Sequence, residues 1–359
     1  MPSSPAPLGG SYDLLVFCHL RWDFVYQRPQ HLISRLSEQY RVLFVEEPWR
    51  RPERPDSPLR KESDRLHVLQ PNVDHIDQIP EVLADYLPGG HTEIVWFYSP
   101  SFFPVLADLR CETVVYDCMD ELSLFRGAPR ELVHLESRLL RRADVVFTGG
   151  RSLYEAKKER NPAVYCFPSS VDQAHFARAQ EGLPVPADIA FLRGPVVGYF
   201  GVIDERIDLD LLAGTADLLP EVQFVMIGPL AKIHDADLPR RGNLHYLGMK
   251  DYAELPAYLQ RFDVAMMPFA LNDATRFISP TKTLEYMAAG RPIVSTAIRD
   301  VVREYADTVA IVDSPTSFAA AVRNFLTAAT APDYRTILNN TSWKSTAARM
   351  HGILEKPLV

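Results

Sequence analysis

The run Ser279-Pro280-Thr281-Lys282-Thr283-Leu284-Glu285 sets hydroxyls, a cation and a carboxylate within about two helical turns. Ser279 suits an N-cap and Pro280 a first helical position, and Gly290 can end the helix in the left-handed conformation. That predicts a helix over 281–289. Its N-terminus offers unpaired N–H groups and the positive end of a macrodipole, a setting that suits a phosphate. A lysine in the first turn opposes the dipole, so an anionic ligand would explain Lys282. Glu285 lies one turn on, facing the same way as Lys282 and Thr281. A carboxylate just beyond a diphosphate can accept two hydrogen bonds from a ribose diol. The same spacing also fits a capped surface helix with an ordinary Lys–Glu pair.

A second group of candidates follows the apolar run Asp13–His19. Trp22 and Phe24 have the flat apolar faces that stack on sugars, and Arg28 has the fork that grips a phosphate or a carboxylate. His19, Trp22 and Arg28 are therefore the acceptor or sugar candidates, with packing and surface roles as the plain alternative. Further on, Val114–Asp117 runs into Asp117-Cys118-Met119-Asp120-Glu121. One of these carboxylates can act as a general base on an acceptor hydroxyl. Asp120, just beyond the strand, is the choice; a turn-forming aspartate with no chemistry is the alternative.

The elements that must position these residues alternate. Apolar strand-like runs at Asp13–His19, Val42–Val45, Leu66–Leu69, Ile94–Tyr98, Val114–Asp117, Val145–Thr148 and Val164–Phe167 are separated by amphipathic stretches such as 30–40 and 131–142. Continuous apolar runs of this kind belong to buried parallel strands. The stretch 48–65, rich in Pro, Arg, Glu and Asp, reads as a surface loop without an element of its own. Periodicity fails near 172–194 and then restarts at Val196–Phe200, with strands to follow at 224–227, 244–247, 264–267, 293–295 and 309–312. The fold class expected is α/β, with two Rossmann-like doubly wound parallel-sheet domains facing a cleft. The expected domains are 1–180 and 187–335, with a last helix at about 343–359 packing back on the first. Ligands of such sheets lie at the carboxyl ends of the strands.

The order of motifs then carries a resemblance. Glu285-Tyr-Met-Ala-Ala-Gly-Arg-Pro-Ile-Val294 resembles the "EAMAxGxPVV" donor motif of glycosyltransferases similar to family 4, of the GT-B type found among bacterial surface-polysaccharide enzymes. Gly194–Phe200 with Gly201–Asp208 is similar to that family's glycine-rich start of the second domain. Asn243–Tyr252 resembles its nucleobase loop, Leu255–Pro268 its "LxxxLxxADVxVxPS" run, and Phe167–Phe176 its "PNGVDxxxF" linker. The resemblance covers most of residues 145–312. It implies a ribose role for Glu285 and donor nucleotide or diphosphate contacts from Gly201, Arg206, Gly248, Met249, Ser279, Thr281 and Lys282. Two departures stand out: Phe277 occupies the place of a first family glutamate, and Val202 the place of an arginine. Arg206 lies roughly where the family has its phosphate-binding lysine.

The reading is a hexosyltransferase of unresolved stereochemistry. It takes a UDP- or GDP-type nucleotide-sugar as co-substrate and a glycan or lipid-linked molecule as acceptor, in polysaccharide or cell-surface glycan synthesis, with no cofactor. A nucleotide-sugar 2-epimerase-like isomerase and a non-catalytic scaffold share the architecture and stay open. Asp208-Leu-Asp210 and Asp235-Ala-Asp237 are discounted as metal sites, so no metal is expected. The chain has 359 residues, 47% apolar and 23% charged, with a formal net charge of −8, which argues against a nucleic-acid partner. Cys18, Cys111, Cys118 and Cys166 show no metal or redox spacing. Without a membrane-length apolar run or a basic leader in 1–10, a cytoplasmic location is expected. The basic run Arg138, Arg141, Arg142, Arg151, Lys157, Lys158 and Arg160 has the look of a solvated face, or of peripheral contact with anionic lipid at the inner membrane face.

Overall fold

The computed structural model describes residues 11–53, 56–328 and 332–356; the N-terminal residues 1–10 lie outside them. The chain forms two compact units. One comprises 1–123, 127–168 and 344–359, the other 124–126 and 169–343.

The first unit is built on an eight-stranded sheet. In chain order its strands are β1 (Leu14–Cys18), β2 (Val42–Glu46), β3 (Leu59–Lys61), β4 (Leu66–Leu69), β5 (His91–Phe97), β6 (Arg110–Cys118), β7 (Val145–Thr148) and β8 (Val164–Cys166). Their spatial order is β3-β4-β2-β1-β5-β6-β7-β8. All pairs are parallel except β3 with β4. Strands β1, β2, β4 and β7 are buried along their whole length, as strands covered on both faces must be. The helix Arg28–Leu36 follows β1, and Glu131–Arg142 buries Leu132, Leu139 and Leu140 on one stripe. The closing helix Trp343–Leu354 reaches this unit, where the Tyr40 hydroxyl meets His351 Nδ1 at 2.9 Å.

The second unit carries β9 (Val196–Phe200), β10 (Gln223–Ile227), β11 (Leu244–Tyr246), β12 (Val264–Met267), β13 (Ile293–Thr296) and β14 (Ala310–Val312). Their order is β11-β10-β9-β12-β13-β14, all parallel. The order reverses between β9 and β12, the switch point beside whose carboxyl ends open parallel sheets commonly bind their ligands.

Two sequence expectations are corrected. Residues 48–65 are not a bare loop: Leu59–Lys61 adds an antiparallel edge strand, Leu59 opposite Leu69. Three residues are too few for periodicity to reveal, and a β4 edge was there to pair. The unit boundary falls at Pro168/Ser169 instead of 180–187. The short helix Gln173–Ala177 buries Phe176 completely, with its ring 6.0 Å from Phe200 of β9, which binds this stretch to the second core.

Candidate functional site

The second unit's switch point is floored by backbone. Directly past β9, Gly201 adopts φ 137°, and its N–H donates to Ile227 O at 2.8 Å. Past β10, Gly228 adopts φ 148° and donates to Gly248 O at 2.8 Å. A Cβ on Gly228 would stand 1.8 Å from Gly201 O, so only glycine lets these turns stack. Gly228, right after a strand, escaped the sequence reading; its positive φ becomes visible only with the neighbouring turn in place.

Over this floor comes the helix Thr281–Ala288, which joins β12 to β13. It is eight residues long, and its N-cap is Pro280 (φ −66°, ψ 118°), not Ser279. Proline has no side-chain oxygen to cap with. Ser279 is instead held through its carbonyl, which accepts from the Ser169 hydroxyl at 2.8 Å; Thr281 Oγ1 then donates to Ser169 Oγ at 3.2 Å. At the other end Gly290 (φ 69°) bonds to Met287 O and Arg291 to Tyr286 O, a Schellman closure. Lys282 lies on Gly201: a Cβ there would be 2.1 Å from its Cε and 2.6 Å from its Nζ. The ammonium also stands 5.7 Å from the Tyr199 ring centroid. One turn on, Glu285 is only 5% exposed. Burial raises its pKa to about 7 against the opposing pull of Lys282.

Arg206 is positioned by Asp204, which is buried and accepts from Nε at 2.9 Å and from Nη2 at 2.7 Å. Its guanidinium also lies 5.4 Å over the Phe125 ring. The carboxylate keeps the arginine fixed, a role for Asp204 that no motif announced. Gly248 (φ 69°) has open space where a Cβ would go, and Met249 is 43% exposed beside it. Asp208, discounted as a metal ligand, caps the helix Leu209–Leu218 by accepting from Leu211 N–H at 2.8 Å.

In the first unit two acceptor candidates are corrected. Trp22 is buried and makes a T-shaped contact with Phe44, ring centroids 5.0 Å apart, which leaves little of its indole exposed to a sugar. Arg28 is also buried. Its Nε and Nη2 grip both oxygens of Asp117 at 2.9–3.1 Å, and Nη1 donates to Phe167 O at 2.8 Å. Burial lifts the Asp117 pKa against the pull of Arg28. Burial and these bonds occupy the guanidinium; its partner stands 89 residues away in sequence, where no spacing rule reaches. Glu121 accepts from Lys157 at 2.5 Å and from the Ser123 hydroxyl at 2.9 Å. Asp117, within β6, thus pairs with Arg28, and Glu121, past it, with Lys157. Asp120 and His19 are both partly buried, each just past its strand. The basic run is no single face: Lys157 is buried on Glu136 and Glu121, Arg160 pairs with Glu136 and Arg142 with Asp144. No helix among the described residues is long and apolar enough to cross a membrane.

Two doubly wound sheets in tandem, the second with its glycine floor under a helix N-terminus, define a GT-B protein. Residues 194–328 match the family described as Glycosyl transferases group 1. Over those residues the chain is similar to group 1 glycosyltransferases, and its fold is GT-B. It is 26% identical over 286 residues to a Bacillus subtilis (strain 168) protein that carries the name teichuronic acid biosynthesis glycosyltransferase TuaH, a match spanning 72% of this chain and 68% of that one. Among solved structures, the sucrose-phosphate synthase of Thermosynechococcus elongatus superposes with a TM-score of 0.70 at 17% identity, covering 95% of this chain and 98% of the other. Anabaena Alr3699/HepE, in complex with UDP and glucose, gives 0.69 at 12% identity over 96% and 100%. At such identities these likenesses carry the fold alone.

Proposed function

We propose that the protein transfers a hexose-type sugar from a UDP- or GDP-type nucleotide-sugar to a glycan or lipid-linked acceptor in the synthesis of a cell-surface polysaccharide. The observation that carries this is the Lys282 ammonium lying on the Gly201 backbone, one turn ahead of the buried Glu285. In this reading the diphosphate rests on the Thr281–Ala288 helix N-terminus, where Lys282 and Arg206 neutralise the charge that grows on the leaving group. Glu285 accepts from the ribose hydroxyls, and the turns at Gly201 and Gly248–Met249 border the nucleotide. The first unit takes the acceptor, and Asp120 removes its proton if transfer inverts. The name of the Bacillus relative supports the polysaccharide context.

A ligand that binds only the folded protein raises its stability. Thermal-shift and calorimetric titration of the full chain with UDP, GDP, ADP and dTDP is the test. A response to UDP or GDP that weakens in Glu285→Ala is expected. Indifference to all four nucleotides would overturn the reading.

A further inference from the structure

A second concavity, of about 390 Å³, lies wholly in the first unit. Its lining includes Arg21, Phe24, Trp49, Arg51, Glu46 and Gln70. Arg21, Trp49 and Gln70 each come within three residues of the carboxyl end of a strand, β1, β2 and β4 respectively. This is the edge where ligands of parallel sheets bind.

The walls are built, not draped. Trp49 N–H donates to Pro71 O at 3.0 Å. Asn72, itself buried, accepts from Arg51 N–H at 2.6 Å and donates to Arg51 O at 3.3 Å and Asp56 O at 3.2 Å. Gln70 N–H reaches Pro58 O at 3.1 Å, continuing the β3–β4 pairing. At the floor, the buried Glu46 accepts from Trp22 N–H, Arg21 and Gln70 at 2.8, 3.2 and 2.9 Å, which fixes the heads of both side chains.

The chemistry at the mouth is aromatic and cationic. Trp49 is 53% exposed, with the Arg51 guanidinium 4.0 Å and that of Arg21 5.6 Å from its ring centroid. Arg60 is taken up by Asp23 and Glu62. Among the described residues no carboxylate pairs with Arg51. A guanidinium fork without a carboxylate beside an exposed indole suits a flat apolar sugar face carrying an anionic group. The lining as a whole sets three arginines, Arg21, Arg51 and Arg60, against two carboxylates, Asp23 and Glu46.

We infer that this concavity is an acceptor subsite for an anionic saccharide. The pyranose lies against Trp49 and Phe24, and its carboxylate or phosphate lies on Arg51 and Arg21. The inference rests on the proposed glycosyltransfer and names the class of acceptor.

The test is binding to the full chain, followed by saturation-transfer NMR and calorimetry, of three probes: a glucuronic acid oligosaccharide, glucose 6-phosphate, and a neutral gluco-oligosaccharide. UDP is titrated separately. At least one anionic probe is expected to bind at least tenfold more tightly than the neutral one, and which of the two does so identifies carboxylate or phosphate. Arg51→Gln and Trp49→Ala should each weaken that probe by at least tenfold and leave UDP affinity and the melting temperature unchanged. Equal binding of neutral and anionic probes, no saccharide binding, or anionic binding that survives both substitutions would overturn the subsite. Failure of UDP alone, with saccharide binding intact, would count against the donor reading instead.

Discussion

Lys282 lies directly on Gly201: a single carbon added to the glycine would sit 2.1 Å from the lysine Cε, so the end of the lysine side chain would have to move. The glycine's φ of 137° is one that side chains rarely adopt. Gly201→Ala should therefore cost about 1–3 kcal/mol from backbone strain before any clash is counted. It should also displace Lys282 and weaken nucleoside diphosphate binding. Gly248→Ala, at φ 69° with open space around it, should cost only about 1–2 kcal/mol. Urea denaturation of both variants checks the order; equal losses would mean the Gly201–Lys282 contact relaxes freely.

Glu285 makes stability and binding depend on pH in opposite senses. Its folded pKa, about 7, lies above the ordinary 4.5. Between those values the unfolded chain has released the proton while the native protein still holds it. Stability therefore falls as pH rises through that window, by on the order of 3 kcal/mol. Glu285→Gln should flatten that fall. A ribose diol needs the ionised carboxylate, so nucleotide affinity in the parent protein should rise as pH passes about 7. Calorimetric titration at pH 6 and 8 should show this in the parent and not in Glu285→Gln, whose affinity at pH 8 is lower by about 1.5–3 kcal/mol.

Lys282→Met and Arg206→Met should each shrink the preference for a nucleoside diphosphate over the bare nucleoside, since their partner is the diphosphate. Asp204→Asn should act like a milder Arg206 variant, because it loosens the guanidinium without removing it. Calorimetry with UDP and uridine reads all three. A preference that persists in the Lys282–Arg206 double variant would assign the diphosphate to other groups.

Arg28→Met leaves Asp117 as a buried carboxylate without its cation, and should destabilise the protein by about 3–5 kcal/mol. The paired change Arg28→Met with Asp117→Leu should recover much of that loss. Nucleotide affinity of the folded protein should not move. Denaturant midpoints of the single and double variants test this; a double variant no more stable than the single one would show that the two residues are not energetically coupled.

Asp120→Asn should preserve donor binding and lower transfer by 10²–10⁴-fold if the reaction inverts, the usual consequence of losing a general base. In a retaining reaction the loss should be far smaller. Steady-state rates, with product stereochemistry read by NMR, separate the two. Near-normal transfer with inversion would remove Asp120 from the role and turn attention to His19.

The sequence by itself determined the alternation of strand and helix, because buried parallel strands are written as unbroken apolar runs such as Leu14–Cys18 and Val264–Met267. It also placed Lys282 and Glu285 on one helix, since a capped helix is a local feature with local signals, whereas Gly201 entered only through the family resemblance and its closeness to Lys282 is tertiary. What it could not decide was which charges are spent inside the fold. Arg28 reads as a phosphate grip until Asp117, 89 residues on, is found closing on it. Nor does the sequence say that Asp204 orients the partly exposed Arg206 fork. Trp22 and Trp49 are the same residue type in the same unit, yet one packs on Phe44 and the other stands 53% exposed beside Arg51. The stretch 48–65 gave no period to read, and became a wall only when β4 offered an unpaired edge to Leu59–Lys61. Periodicity records which way a side chain faces along its own element. Whether a polar side chain is free for a ligand depends on what other elements bring to it, and that is settled only when the sheet has assembled.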